Sequence, residues 1–271
     1  MKVLWGVVCV GVLLAPAPAA WAKGSLFDPP LQMQKRALPP VKDTPKTILT
    51  CRYYAHFMVK EVDDGEVGAA QISIVPIDAG ASRPACQRQN APSEKVVSGN
   101  DWTGYVKGVK GDYVFLDADD GVNGGLGFAV FAAGNAKKLF DDSAVGNLRS
   151  VALAGKVLTV RYARSYSADC SVPHDGTGCW TKIAGATGQK ASKQPDCAAG
   201  YLRAKNEMAK GRCEADKKSG AACLASALKE LDRQRWDEAP SVVVYDAETV
   251  LMPEGVSTKP LAGVRACHPS D

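Results

Sequence analysis

YVFLDADDGVNGGLGFAVF, residues 113–131, decides how this chain is read. Two runs of aromatic, aliphatic and β-branched residues flank a cluster of acids and glycines. Such side chains suit a pleated surface, and an Asp-Gly break between them is the short-range signature of a β-hairpin. The stretch has a counterpart upstream. FMVKEVDDGEVGAAQISIV, residues 57–75, aligns with it without gaps: Asp63-Asp64-Gly65 falls on Asp119-Asp120-Gly121, Gly68 on Gly124, and Ile72 and Ile74 on Phe128 and Val130. The pair reads as a duplicated hairpin unit. HDGTGCWTKIA, residues 174–184, is a fainter third copy. In each copy the Asp-Gly step is expected to supply the positive φ angles of a tight turn. Gly124, Gly125 and Gly127 are expected to loosen the following strand into a bulge.

The same acids carry a second reading. Asp117, Asp119, Asp120 and Asn123 form a set of oxygen donors suited to calcium. The EF-hand spacing is not met, because position 5 counted from Asp117 is Gly121 and position 12 counted from Asp119 is Val130. A catalytic carboxylate pair is not supported, since neighbours on one turn cannot straddle a substrate.

Working outward, KKLF (137–140), KVLTVRYARSYSADC (156–170) and SVVVYDAETVLMP (241–253) read as further strands. Residues 196–237 differ in character. Tyr201, Ala204 and Met208 share one helical face, Leu224, Leu228 and Leu231 another, with a polar turn between them. That is an αα-hairpin. The predicted fold class is α+β, β-dominated, with short antiparallel strands and a C-terminal disulfide-stapled αα-hairpin. Four segments follow. Residues 1–22 are a signal peptide, 23–46 a Pro-rich extended and mobile arm, and 47–190 a β-rich domain. Residues 191–271 hold the helical hairpin and a final strand packed on that domain.

The signal peptide rests on Lys2, the apolar run of residues 3–14, Pro16, Pro18 and the small-x-small site at Ala20-Trp21-Ala22. The run is too short to span a bilayer, and no later segment is long and apolar enough, so the mature chain is expected to lack a membrane span. Eight cysteines follow it: Cys51, Cys86, Cys170, Cys179, Cys197, Cys213, Cys223 and Cys267. An even number in an exported chain, without a Cys-x₂-Cys pair, points to disulfides rather than zinc. Local spacing pairs Cys213 with Cys223 and Cys170 with Cys179; elimination pairs Cys51 with Cys86 and Cys197 with Cys267.

A formal charge of +4 gives no footprint for nucleic acid or anionic lipid. Neither a phosphate loop, a Gly-x-Ser-x-Gly elbow nor a His-Glu-x-x-His pair occurs. Trp102, Tyr105 and Tyr113, set among glycines and lysines, are candidates for a binding face. These features describe a secreted or periplasmic, disulfide-stabilised protein with a non-catalytic binding or structural role in the cell envelope. Its partner is expected to be an envelope protein or glycan, with no nucleic acid. No cofactor is expected. The alternatives are an envelope hydrolase assembled from distant residues around His56 or His174, and a calcium-stabilised module using the acidic turn.

Overall fold

The structure, a computed structural model, describes residues 25–39, 46–97, 99, 102–122, 124–190, 193–217 and 219–270. The expected signal peptide and Asn123 lie outside the described residues. Two antiparallel sheets dominate. In the first, β1 (Gln32–Ala37), β2 (Ile48–Tyr53), β3 (Phe57–Asp63), β4 (Gln71–Pro76) and β5 (Lys95–Val96) lie side by side in chain order. The second contains β6 (Gly104–Lys110), β7 (Tyr113–Val122), β8 (Gly125–Ala132), β9 (Lys138–Ala144), β10 (Ser150–Ala154), β11 (Val157–Ser167), β12 (Ser241–Met252) and β13 (Gly255–Pro269). Its order is β13-β12-β11-β9-β8-β7-β6, with β10 running along β11 after β9. β12 therefore lies inside the sheet, and β13, which the sequence reading did not foresee, forms its edge.

The alternation of side chains along a strand explains how the layers stack. On β7 and β8, Val114, Leu116, Ala129 and Phe131 face the first sheet and meet Val59, Ile72 and Ile74. Phe115, Phe128 and Val130 point the other way, into a core shared with Val160, Tyr162 and Tyr245. Trp180 and Ile183 close this core from α2 (Thr177–Thr187), which follows the short α1 (Val172–Asp175). Burying one such phenylalanine fully is worth about 1.5–3 kcal/mol. The outer face of the first sheet is capped by residues 77–97. There Cys51–Cys86 and a buried Lys60–Glu94 ion pair at 2.6 Å fasten the loop.

The two hairpins coincide in register. Phe57 pairs with Pro76 and Glu61 with Ile72; at the aligned positions Tyr113 pairs with Ala132 and Asp117 with Phe128. Their tips differ. Gly65 has φ 83° and its N–H donates to the Asp63 carboxylate at 3.0 Å, an Asx turn. Gly121 instead lies in the ladder opposite Leu126, after a register shift, and the ladder ends on the Val122–Gly125 pair. Gly124 there takes φ 72°. The Asp-Gly step is thus not the turn of the second hairpin. Gly121 is required for another reason: a Cβ there would lie 2.8 Å from the Gly125 carbonyl oxygen. The likeness holds for the strands and fails at the loops.

The third copy is overturned. Residues 174–184 are helical on both sides of a turn at Gly176, and Cys179, Trp180, Ile183, Ala184 and Thr187 are buried at helical spacing. The Ser171 hydroxyl caps the preceding turn, accepting from the His174 N–H. The stapled hairpin is α3 (Ala198–Ala215) with α4 (Ala221–Arg233), joined by Cys213–Cys223. Cys197–Cys267 ties the start of α3 to β13, and Cys170–Cys179 holds α2. Among the described residues no helix is long and apolar enough to cross a membrane.

The segment read as a mobile arm is hydrogen-bonded over its described length. β1 pairs with β2 from Gln32–Tyr53 to Ala37–Ile48. Before it, the Asp28 N–H donates to the Val109 carbonyl at 2.8 Å, and Phe27 packs edge-on against Phe115 at 5.1 Å. A Cβ on Gly108 would sit 2.3 Å from the Phe27 ring, so the glycine makes the slot. Burial disfavours the Asp28 charge, but the Gly111 N–H and Lys110 outweigh it and hold this carboxyl below its ordinary range.

Candidate ligand-binding site

Four hairpin turns of the second sheet converge at one end. The sheet bends between β9 and β10, which pair in succession with β11. The bend returns the β10–β11 turn to the β6–β7 turn. A Cβ on Gly111 would lie 2.4 Å from Leu153, and the Tyr113 hydroxyl donates to the Lys156 carbonyl at 2.8 Å. The β8–β9 turn joins through the Ala133 N–H, which donates to the Asp112 carbonyl at 2.8 Å. Pro253 and Glu254 of the β12–β13 turn close the ring, and His56 and Phe57 of the first sheet reach its edge.

These turns enclose a half-open cup of about 780 Å³. That lies within the range of about 300–1,000 Å³ for small-molecule sites. Its wall is largely apolar, with Leu139, Leu153, Leu251, Met252 and Val256 around the Tyr113 ring. The charged groups Lys137, Lys138, Lys156, Asp112 and Glu254 stand at the rim. Lys138 pairs with Asp141 at 3.4 Å. Lys95 of β5 does not line the cup but stands beside its rim, its ammonium donating to the carbonyl of the lining residue Gly134 at 3.4 Å. Burial, aided by the neighbouring Asp112 carboxylate, raises the Tyr113 hydroxyl above the ordinary phenol range. It is therefore a neutral donor at physiological pH.

Of the aromatic candidates, only Tyr113 belongs to the cup. The Trp102 indole N–H donates to the Asp117 carbonyl at 3.1 Å. The Tyr105 hydroxyl accepts from the Gly68 N–H at 2.9 Å and donates to the Glu66 carbonyl at 3.2 Å. Tyr105 thus clamps the first hairpin loop to the second sheet, and Trp102 ties the segment before β6 to β7.

Of the calcium donors, Asp119 and Asp120 lie within the register shift that follows Asp117 on β7. Asp117 is paired with Lys107 at 2.7 Å, beside a shallow hollow that also contains Gly124. Asp119 accepts from the Asp120 N–H at 3.1 Å, and Asp120 is exposed. Among the described residues the one group with three ligand atoms within 4.8 Å is Cys170, Asp175 and Cys179. Its two sulfurs are bonded to each other.

The histidines stand apart. His56 is exposed at the cup; His174 lies at the surface 3.8 Å from Asp237 and 3.6 Å from Glu238; His268 Nδ1 meets the Pro269 carbonyl at 2.9 Å.

A second polar constellation is buried. The Tyr162 hydroxyl donates to Asp142 at 2.5 Å and meets the Thr249 hydroxyl at 2.9 Å; Arg164 bridges Asp142 and the Tyr245 hydroxyl, each at 2.9 Å. Burial first, then the Asp142 carboxylate, push Tyr162 far above the phenol range. This network joins β9, β11 and β12 across the sheet and does not line the cup. It is a satisfied internal tie.

The four disulfides are compatible with an extracellular, disulfide-stabilised protein. Comparison with protein-family models, curated proteins and solved structures finds no match.

Proposed function

We propose that the chain is an exported, non-catalytic binding protein whose site is the cup at the converging turns. One observation carries this reading. A cavity of small-molecule size, walled by apolar side chains and rimmed by polar ones, sits on turns braced by a stiff sheet. The turns are tied to one another by the Tyr113–Lys156 and Ala133–Asp112 hydrogen bonds, so the cup is preorganised. Preformed walls limit the ordering cost that binding would otherwise incur.

A thermal-shift screen of the oxidised protein against small amphipathic molecules tests this. A ligand at one hundred times its dissociation constant adds about 2.7 kcal/mol. For a chain of this size that raises Tm by roughly 5–10 °C. Val256→Trp, which fills the cup from an exposed position, is expected to abolish the shift. A ligand that stabilises wild type and Val256→Trp equally binds elsewhere and would overturn the assignment.

A further inference from the structure

We infer that the ligand of the cup is an amphipathic anion: an aliphatic body on the apolar wall and a carboxylate or phosphate head at the β8–β9 turn. The inference rests on the cup being a binding site. The wall determines the body. Leu139, Leu153, Met252 and Val256 offer aliphatic surface without a hydrogen-bonding group, while the one hydroxyl of the lining, that of Tyr113, already donates to the Lys156 carbonyl. A sugar or a nucleoside would leave its hydroxyls unanswered there, at a cost of the order of 1–3 kcal/mol each.

The rim determines the head. Lys95 and Lys137 both belong to the β8–β9 corner, and among the described residues neither ammonium has a carboxylate within 4.0 Å. Lys138, next to them, is answered by Asp141. The acids of the rim come singly, Asp112 on the β6–β7 turn and Glu254 on the β12–β13 turn, with Lys156 between these turns. Two ammoniums without a carboxylate partner, on one corner, therefore face one acid on the neighbouring turn. An anionic head placed there gains from both lysines, whereas a cationic head would have to displace them. Asp112 opposes the anion, and this gives the inference a second, oppositely signed prediction.

The test is isothermal titration of the full oxidised chain below the micelle-forming range. Four probes share a twelve-carbon chain: dodecanoate, dodecyl phosphate, dodecanol and dodecyltrimethylammonium. Expected is binding of the anions at least tenfold tighter than of the alcohol, about 1.4 kcal/mol. The relative strength of the carboxylate and the phosphate separates a fatty-acid source from a phosphate-bearing one. Lys95→Gln/Lys137→Gln, both at exposed positions, is expected to bring the anions to the affinity of the alcohol and leave the alcohol unchanged. Asp112→Asn is expected to tighten the anions. Should dodecanol or the ammonium bind as tightly as the anions, the assignment of the head is wrong and the cup remains a site for an apolar ligand. Should no probe bind, or should Val256→Trp leave binding intact, the cup itself is wrongly assigned and this inference falls with it.

Discussion

The Lys60–Glu94 pair offers the sharpest perturbation of the fold. Both side chains are only 1% exposed, and their charged atoms are 2.6 Å apart. Each is held further. The Lys60 ammonium lies 3.3–3.4 Å from the Arg88 and Gln89 carbonyls and Asn90 Oδ1; Glu94 accepts from Gln71 at 3.0 Å and from the Ala91 N–H at 2.9 Å. Glu94→Gln keeps the shape and removes the charge. A buried ammonium left without its counterion costs about 3–5 kcal/mol. The low end, about 3 kcal/mol, applies here because the three oxygen acceptors stay on Lys60. For a chain of this size that lowers Tm by roughly 6–12 °C. The double replacement Lys60→Met/Glu94→Met is expected to be less damaging than the single one. It strands no charge, and the acceptors at residues 88–90 are exposed and can turn to water. Urea unfolding followed by circular dichroism, with disulfides intact, measures both. A loss below about 1 kcal/mol for Glu94→Gln, or a double variant as unstable as the single one, would refute the reasoning.

Two further outcomes follow from the second sheet. Asp246 is held by Arg149 and Arg265, and Glu248 by Lys259 and Arg161, so both carboxyls titrate below their ordinary values of 3.8 and 4.5. Their stabilisation is fully present above those values and is lost as pH falls through the lower, folded-state values. Asp246→Asn/Glu248→Gln should therefore lower stability at pH 7 by about 0.2–1 kcal/mol, as is typical of partly exposed pairs, and match wild type near pH 2. A difference that persists undiminished at pH 2 would show that packing, not charge, is responsible. Gly108→Ala should expel Phe27 from its slot and cost about 1–3 kcal/mol. Hydrogen exchange should then lose protection at Asp28 while β2 and β3 keep theirs; unchanged protection at Asp28 would remove the slot from the account.

Much of the sheet architecture was legible in the sequence because strands announce themselves locally. The alternation in residues 57–75 and 113–131 is enough to give both hairpins, and their registers agree position by position. What failed was the reading of Asp120-Gly121 as the turn: Gly121 stands in the ladder, and the positive φ falls on Gly124, three residues on. Ladder crowding at Gly121 decided it, and only the paired backbone reveals that crowding. α2 was missed because its Asp-Gly start copied the hairpin phrase, although Cys179, Trp180 and Ile183 already carried a helical period. The N-terminal segment gave no local clue, since Phe27 and Asp28 find their partners at Gly108, Gly111 and Phe115. The cup was illegible for the same reason. Its wall is drawn from turns far apart in sequence, and of the predicted site residues Tyr113 stands in it with His56 at its edge.

The nesting of Cys213–Cys223 inside Cys197–Cys267 bears on how the chain avoids a scrambled product. Pairing consecutive thiols as they appear would join Cys197 to Cys213, the next cysteine along. Once α3 has formed, those two thiols stand at opposite ends of one rod, about 24 Å apart along its axis. No disulfide can bridge that distance. Cys223 is then the partner within reach of Cys213, and Cys197 must wait for Cys267 near the end of the chain. Helix formation thus acts as a chaperone for oxidation, and a proline at Ala209 would be felt first as wrong pairing rather than as lost helicity.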